Sequence, residues 1–178
     1  PPLDEGDLMY MPTTYAGISI GKARELLQQT NKLIKTVPEV ETVFGKVGRA
    51  DTATDPAPLT MIETFIQLKP KEQWREGMTT QDLIKEFDAV VNLPGLTNAW
   101  VMPIKTRIDM LATGIKTPVG IKIGGPDLME IQKIGQQIES ILTDVDGTAS
   151  VYSERVAGGR YLKVDIDREK AARYGLNI

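Results

Sequence analysis

A chain of 178 residues, 41% hydrophobic and 25% charged with a net charge of −3, is long enough to bury one or two cores beneath an ordinary soluble surface. Five Tyr, two Trp and three Phe on an acidic chain argue against a nucleic-acid partner. The absence of both Cys and His removes disulfides, thiol nucleophiles, His general bases and most zinc sites together. Transition-metal chemistry is left to carboxylates and to seven Met, a somewhat rich share for this length. No apolar run approaches the roughly 20 residues of a membrane span.

Residues 1–7 (PPLDEGD) are irregular and acidic, and start abruptly, as a piece of a longer chain would. Residues 8–14 read as a short strand with Met9, Met11 and Thr13 on one face and Leu8 and Tyr10 on the other; Pro12 confines it to an edge or ends it. Residues 19–36 form an amphipathic helix capped by Ser19, with Ala23, Leu26, Leu27, Leu33 and Ile34 as its apolar stripe. Pro38 ends the helix, and residues 40–47 are a strand closed by Gly48. A polar loop, residues 49–58, leads to the most informative stretch of the chain. Residues 57–69 alternate as a strand does: Ile62, Ile66 and Leu68 point to a core, and Met61, Glu63, Phe65 and Gln67 point away from it. Taken alone, Met61 is a gap-filler and Glu63 a solvated carboxylate.

Residues 79–92 form a second amphipathic helix capped by Thr79 or Thr80, and residues 97–104 another strand. The order is β-α-β-β-α-β, an α+β fold of the ferredoxin-like type, with helices on one face of the sheet and the other face left to solvent or a partner. Residues 105–117 read as an irregular connector carrying Arg107, Met110 and Lys116. A second copy of the pattern then begins, with a strand over 119–124, a helix over about 128–142 and a strand over 149–156. Gly158-Gly159 is a hinge-like break, followed by a strand over 161–165 and an amphipathic start from Asp167. The expected division is 1–117, a complete subdomain; 118–157, the first part of a second; and 158–178, the opening of a third.

Four passages carry a family resemblance: Glu5-Gly6-Asp7 with Tyr10-Met11-Pro12; Ala57-Pro58-Leu59-Thr60-Met61-Ile62-Glu63-Thr64; Arg107-Ile108-Asp109-Met110-Leu111 with Gly114-Ile115-Lys116-Thr117-Pro118; and Asp165-Ile166-Asp167-Arg168-Glu169-Lys170 onward to Gly175. Together they resemble the periplasmic part of heavy-metal-efflux pumps of the resistance-nodulation-division superfamily, in its copper/silver branch. The last passage is common to the superfamily, and the Met-bearing ones are specific. The resemblance implies a three-methionine site for Cu(I) or Ag(I), whose matching positions are Met11, Met61 and Met110. It also implies charged groups along the ion route near that site, matching Glu5, Asp55, Glu63, Arg107 and Lys116. Glu63 and Asp55 are expected to serve cation passage and not the fold.

For the three segments the resemblance implies one porter subdomain, the first part of a second and the start of a docking domain inserted into it. The whole pump would be a proton-driven inner-membrane homotrimer working with a periplasmic adaptor and an outer-membrane channel, with a periplasmic metal chaperone as a further candidate partner. It implies no enzymatic cofactor; the metal is cargo.

Three neutral thioethers select by softness, since Mg²⁺ and Ca²⁺ prefer oxygen while monovalent d¹⁰ ions accept sulfur. Met9 shares a strand face with Met11 and could be an outer sulfur, but the family motif gives no ligand there. Met78, Met102 and Met129 read as core or surface. The alternatives are a divalent-metal (Zn/Co/Ni) exporter, which would want His, and a free-standing ferredoxin-like metal carrier, whose usual Cys-x-x-Cys loop is missing. An enzyme is the weakest reading, with no nucleophile–base pair and no phosphate-cradling Gly loop.

Overall fold

The computed structural model describes residues 4–52, 56–117, 119–148, 150–155 and 162–176. Strand β1 (Leu8–Tyr10) leads to α1 (Ile20–Ile34), whose start is fixed by the Ser19 hydroxyl accepting from the Lys22 N–H at 3.2 Å. Strand β2 (Val40–Val47) follows. A two-residue ladder then pairs β3 (Ala50–Asp51) with β4 (Pro56–Ala57), ahead of β5 (Ile62–Leu68). Helix α2 (Thr80–Val90) opens in a capping box between Thr79 and Asp82, and β6 (Trp100–Val101) completes the main sheet.

The sheet order is β2-β5-β1-β6, with every neighbouring pair antiparallel. That is the ferredoxin-like βαββαβ arrangement the alternation and helix periodicity predict. The central register pairs Leu8 with Ile66, Met9 with Phe65 and Tyr10 with Thr64. Leu8, Tyr10, Ile66 and Leu68 therefore share the face covered by the helices, where they form one core with Ile34, Leu83, Phe87 and Val91. Each such side chain contributes about 1.5–3 kcal/mol on burial. The Tyr10 ring stacks on Trp100 at 4.3 Å, and its hydroxyl donates to Asn98 Oδ1 at 2.8 Å, so its polar end is satisfied inside the core. Gly45 in β2 is needed for close approach: a Cβ there would meet Thr64 Oγ1 at 2.5 Å and Leu27 Cδ1 at 2.6 Å.

The structure corrects several expected boundaries. The strand expected over 8–14 is regular only to Tyr10, beyond which Thr13 makes isolated bridges to Met61 and Thr97. The strand expected over 57–69 starts at Ile62, because Pro58 has no N–H to pair and its carbonyl instead accepts the Met61 N–H at 3.0 Å in a turn. Residues 105–117 are not an irregular connector. They belong largely to a helix, α3 (Pro103–Thr113), which also shortens the strand expected over 97–104.

In the second half, α4 (Leu128–Thr143) is where periodicity puts it, with the Asp127 carboxylate accepting from the Met129 and Glu130 N–H groups. A short α5 (Arg168–Arg173) follows Asp167. Of the strands expected at 119–124, 149–156 and 161–165, the described parts 119–124, 150–155 and 162–165 form no ladder, and residues 149, 156 and 161 lie outside the described residues, as does Gly158-Gly159. Residues 150–155 instead run along α4, where the Ser153 N–H donates to Glu139 Oε2 and Arg155 pairs with the same oxygen at 2.8 Å. Gly135 permits that approach, for a Cβ would lie 2.3 Å from Ser153 Oγ.

The entry to β2 is pinned by a buried carboxylate. Glu39 is 1% exposed and accepts from Arg75 Nε at 2.7 Å and Nη2 at 2.8 Å, while Nη2 also reaches Glu86 at 2.6 Å. The guanidinium hydrogen bonds hold the Glu39 carboxyl down to about 2, outweighing the opposing effect of burial. A carboxyl lowered in the folded state adds stability that is complete above its ordinary value of 4.5 and is lost as pH falls through that value toward 2. Glu39→Gln should therefore cost about 1–3 kcal/mol at neutral pH. It should also flatten the acid-side loss of stability, which urea melts at a series of pH values would read.

Candidate metal centre

The register of β1 on β5 continues beyond their ladder. Met9 pairs with Phe65 and Thr13 bridges Met61, so the same antiparallel register sets Met11 opposite Glu63. Met11 and Met61 are thus diagonal neighbours on one face of the sheet, about 7–8 Å apart at the backbone and within reach of long side chains. They lie on the face turned away from α1 and α2, as the alternation requires.

That face is not open throughout. At the β2 edge Phe44 is 59% exposed and stacks on Phe65, but along β1 Met9 is 5% and Met11 1% exposed. Met61 is half-buried beside a cleft of about 170 Å³ lined by Lys46, Val47, Gly48, Arg49, Met61 and Glu63. Glu63 is not solvated as expected: it is 8% exposed, and its carboxylate pairs with Lys46 Nζ at 3.1 Å. Lys46 sits directly opposite Glu63 in the β2–β5 ladder, which is why the pair forms. The sequence puts both residues on outward positions, but only the ladder register brings them face to face.

Met110 lies in α3 and is half-buried. The helix has no cap from its own N-cap residue, Met102, and Pro103 brings no N–H. The next two donors, the N–H groups of Ile104 and Lys105, point to Glu5 Oε2 at 2.7 Å and Oε1 at 2.8 Å. At the other end Gly114, at φ 74°, terminates the helix in a left-handed cap. Two residues later Lys116 Nζ donates to the Met11 carbonyl at 2.9 Å and to Thr13 Oγ1 at 2.7 Å. Burial pushes the Lys116 ammonium down to about 8, against a smaller upward pull from Glu154. Pro at the first helical position and Gly past the end are the signals that could have revealed α3 in the sequence.

The register thus sets Met11 and Met61 on one face at the edge of the ladder, and Lys116 ties the segment after Met110 to Met11 and Thr13. Arg107 is exposed on α3, and Asp55 lies outside the described residues. Among the described residues, no three of His, Cys, Asp and Glu are grouped so as to hold a metal ion. No helix among them is long and apolar enough to cross a membrane.

A family model described as AcrB/AcrD/AcrF family matches residues 1–178. The chain belongs to that family. Within or near it, the chain is similar to the cation efflux system protein CusA of Escherichia coli (strain K12), with 58% identity over 178 residues, the whole of this chain and 17% of CusA. The cobalt-zinc-cadmium resistance protein CzcA of Cupriavidus metallidurans is 32% identical over 181 residues, again the whole of this chain and 17% of that protein. An X-ray crystal structure of a heavy metal efflux pump superposes with a TM-score of 0.86 at 31% identity, covering 99% of this chain and 19% of that one. The resemblance carried by the four sequence passages is therefore borne out, and the chain spans about 17% of the length of the curated relatives it matches. The fold of this member of the AcrB/AcrD/AcrF family is likewise shared with efflux-pump structures.

Because Glu63 is buried and paired, Glu63→Gln should not be silent. The expected loss is about 1–2 kcal/mol, as for a weakened hydrogen bond to a charged group. Lys46→Gln, which leaves the buried carboxylate without its cation, should cost at least as much as Glu63→Gln. Thermal unfolding of the two variants side by side checks the order.

Proposed function

We propose that this chain is the periplasmic metal-binding portion of a proton-driven inner-membrane pump that exports Cu(I) or Ag(I), with Met11, Met61 and Met110 as the sulfur ligands of its cargo. The observation that carries this reading is the register that sets Met11 and Met61 diagonally on one face, with the segment after Met110 anchored to Met11's own carbonyl. Thioethers have no proton to lose near neutral pH, so capture by such a site depends little on pH, unlike a Cys or His site. Glu63, Arg107 and Asp55 would supply charge along the approach. Glu63 can serve a passing cation only when Lys46 releases it.

The whole pump would be a homotrimer delivering metal through a periplasmic adaptor to an outer-membrane channel, and a periplasmic metal chaperone would feed it. Residues 1–117 would be one porter subdomain, 118–157 the first part of a second, and 158–178 the opening of a docking domain. A divalent-metal exporter is the competing reading within the family. Two facts count against it: the chain has no His, and it is only 32% identical to the cobalt-zinc-cadmium resistance protein.

Met→Leu at positions 11, 61 and 110 tests the site, because the exchange conserves volume and costs under about 1.5 kcal/mol in a core. Each variant should fold and yet bind Ag(I) at least about tenfold more weakly, or about 1.4 kcal/mol. The three losses should not add, since these ions accept two ligands. Met9→Leu should bind as the parent does. Unchanged Ag(I) titrations for all three variants, or tight Zn²⁺ binding without a silver response, would overturn the reading.

A further inference from the structure

The acidic segment 4–7 is a set of anchors. Asp4 Oδ2 pairs with Lys71 at 2.9 Å and its Oδ1 accepts the Gly6 N–H at 3.0 Å, while Asp7 Oδ1 accepts the Leu68 N–H at 3.2 Å. Gly6, at φ 81°, makes the turn between them. The residues on either side of Glu5 are thereby fixed to the sheet and to the loop after β5. Glu5 projects from this fixed segment onto the start of α3, where each carboxylate oxygen takes one backbone N–H. Those are the two donors left over by a helix that starts Met102-Pro103 with no cap of its own. The carboxylate also meets the positive end of the helix dipole.

We propose that Glu5 is a positioning residue and not a waypoint for the ion: with Lys116 at the opposite end, it clamps α3 so that Met110 is held toward the Met11–Met61 face. The inference rests on the thioether site proposed above. Both Glu5 oxygens are engaged by backbone donors at the first turn of α3, so lending them to a cation would uncap the helix that carries the third sulfur and loosen it. Lys116 does the same at the exit by tying the chain two residues beyond Gly114 to Met11's own carbonyl. A group that orients a metal ligand without touching the metal is typically worth about ten- to a hundredfold in affinity.

The test combines amide hydrogen exchange with Ag(I) titration on the 178-residue chain. Glu5→Ala should speed exchange across α3 while α1 and α2 stay as protected as in the parent. Glu5→Gln, which keeps one carbonyl acceptor, should restore part of that protection. Ag(I) affinity should fall about tenfold in Glu5→Ala. In a Met110→Leu background the same change should cost less than about twofold, because its route to the metal is gone. A full and additive loss in that background would make Glu5 a direct participant and overturn the proposal. So would unchanged exchange in α3, or faster exchange everywhere. If Met110→Leu itself leaves Ag(I) binding untouched, Met110 is not a ligand as the thioether reading has it, and the exchange data still decide whether Glu5 holds α3.

Discussion

The antiparallel register of β1 on β5 is the constraint on which the rest of the molecule depends. Side chains alternate with a period of two along a strand, so a slip of one residue would exchange every inward group for an outward one. Leu8, Tyr10, Ile66 and Leu68 make such a slip costly, because it would expose a core that closes α1 and α2 onto the sheet. The same pairing that builds the core therefore fixes the opposite face. Met11 is held across from Glu63 and Met61 across from Thr13 with no stabilisation of their own required. The proposed site is in this sense a by-product of the packing on the other side of the sheet.

The supporting charges divide by what they touch. Glu39 with Arg75 ties the entry of the edge strand β2 to the loop before α2, and Asp4 with Lys71 joins the ends of the central strands β1 and β5. Glu63 with Lys46 belongs to the candidate site itself, lining the same small cleft as Met61. The carboxylate is buried enough to need a partner, and the lysine is exposed enough to leave. Such an arrangement leaves no unpaired charge buried beside the cleft.

Much of the architecture was legible because local rules and tertiary packing agree in residues 1–102. Ser19 and Thr79 cap the helices where the sequence says, and the alternation in β5 divides its faces correctly. Helix α3 was marked in the sequence only by Pro103, Gly114 and the helical spacing of Ile104, Ile108 and Leu111, while the usual side-chain cap was missing. Its N-terminal donors are met by Glu5, far away in the chain, and that contact no local pattern could show. The strands expected around α4 failed for another reason: alternation tells which way side chains point, not whether a neighbouring strand exists. Val119, Ile121, Leu162 and Val164 alternate as strand residues do, and all four are exposed. At the site, the sequence marked the methionines as soft ligands but could not show that Glu63 is buried, because that depends on Lys46 across the ladder.

Copper K-edge X-ray absorption on the Cu(I)-loaded chain is the most direct test of the central claim. A thioether site predicts a first shell made of sulfur alone, with fewer sulfur scatterers after Met61→Leu and no change after Met9→Leu. A first shell dominated by oxygen or nitrogen, or one indifferent to Met61→Leu, would contradict the account.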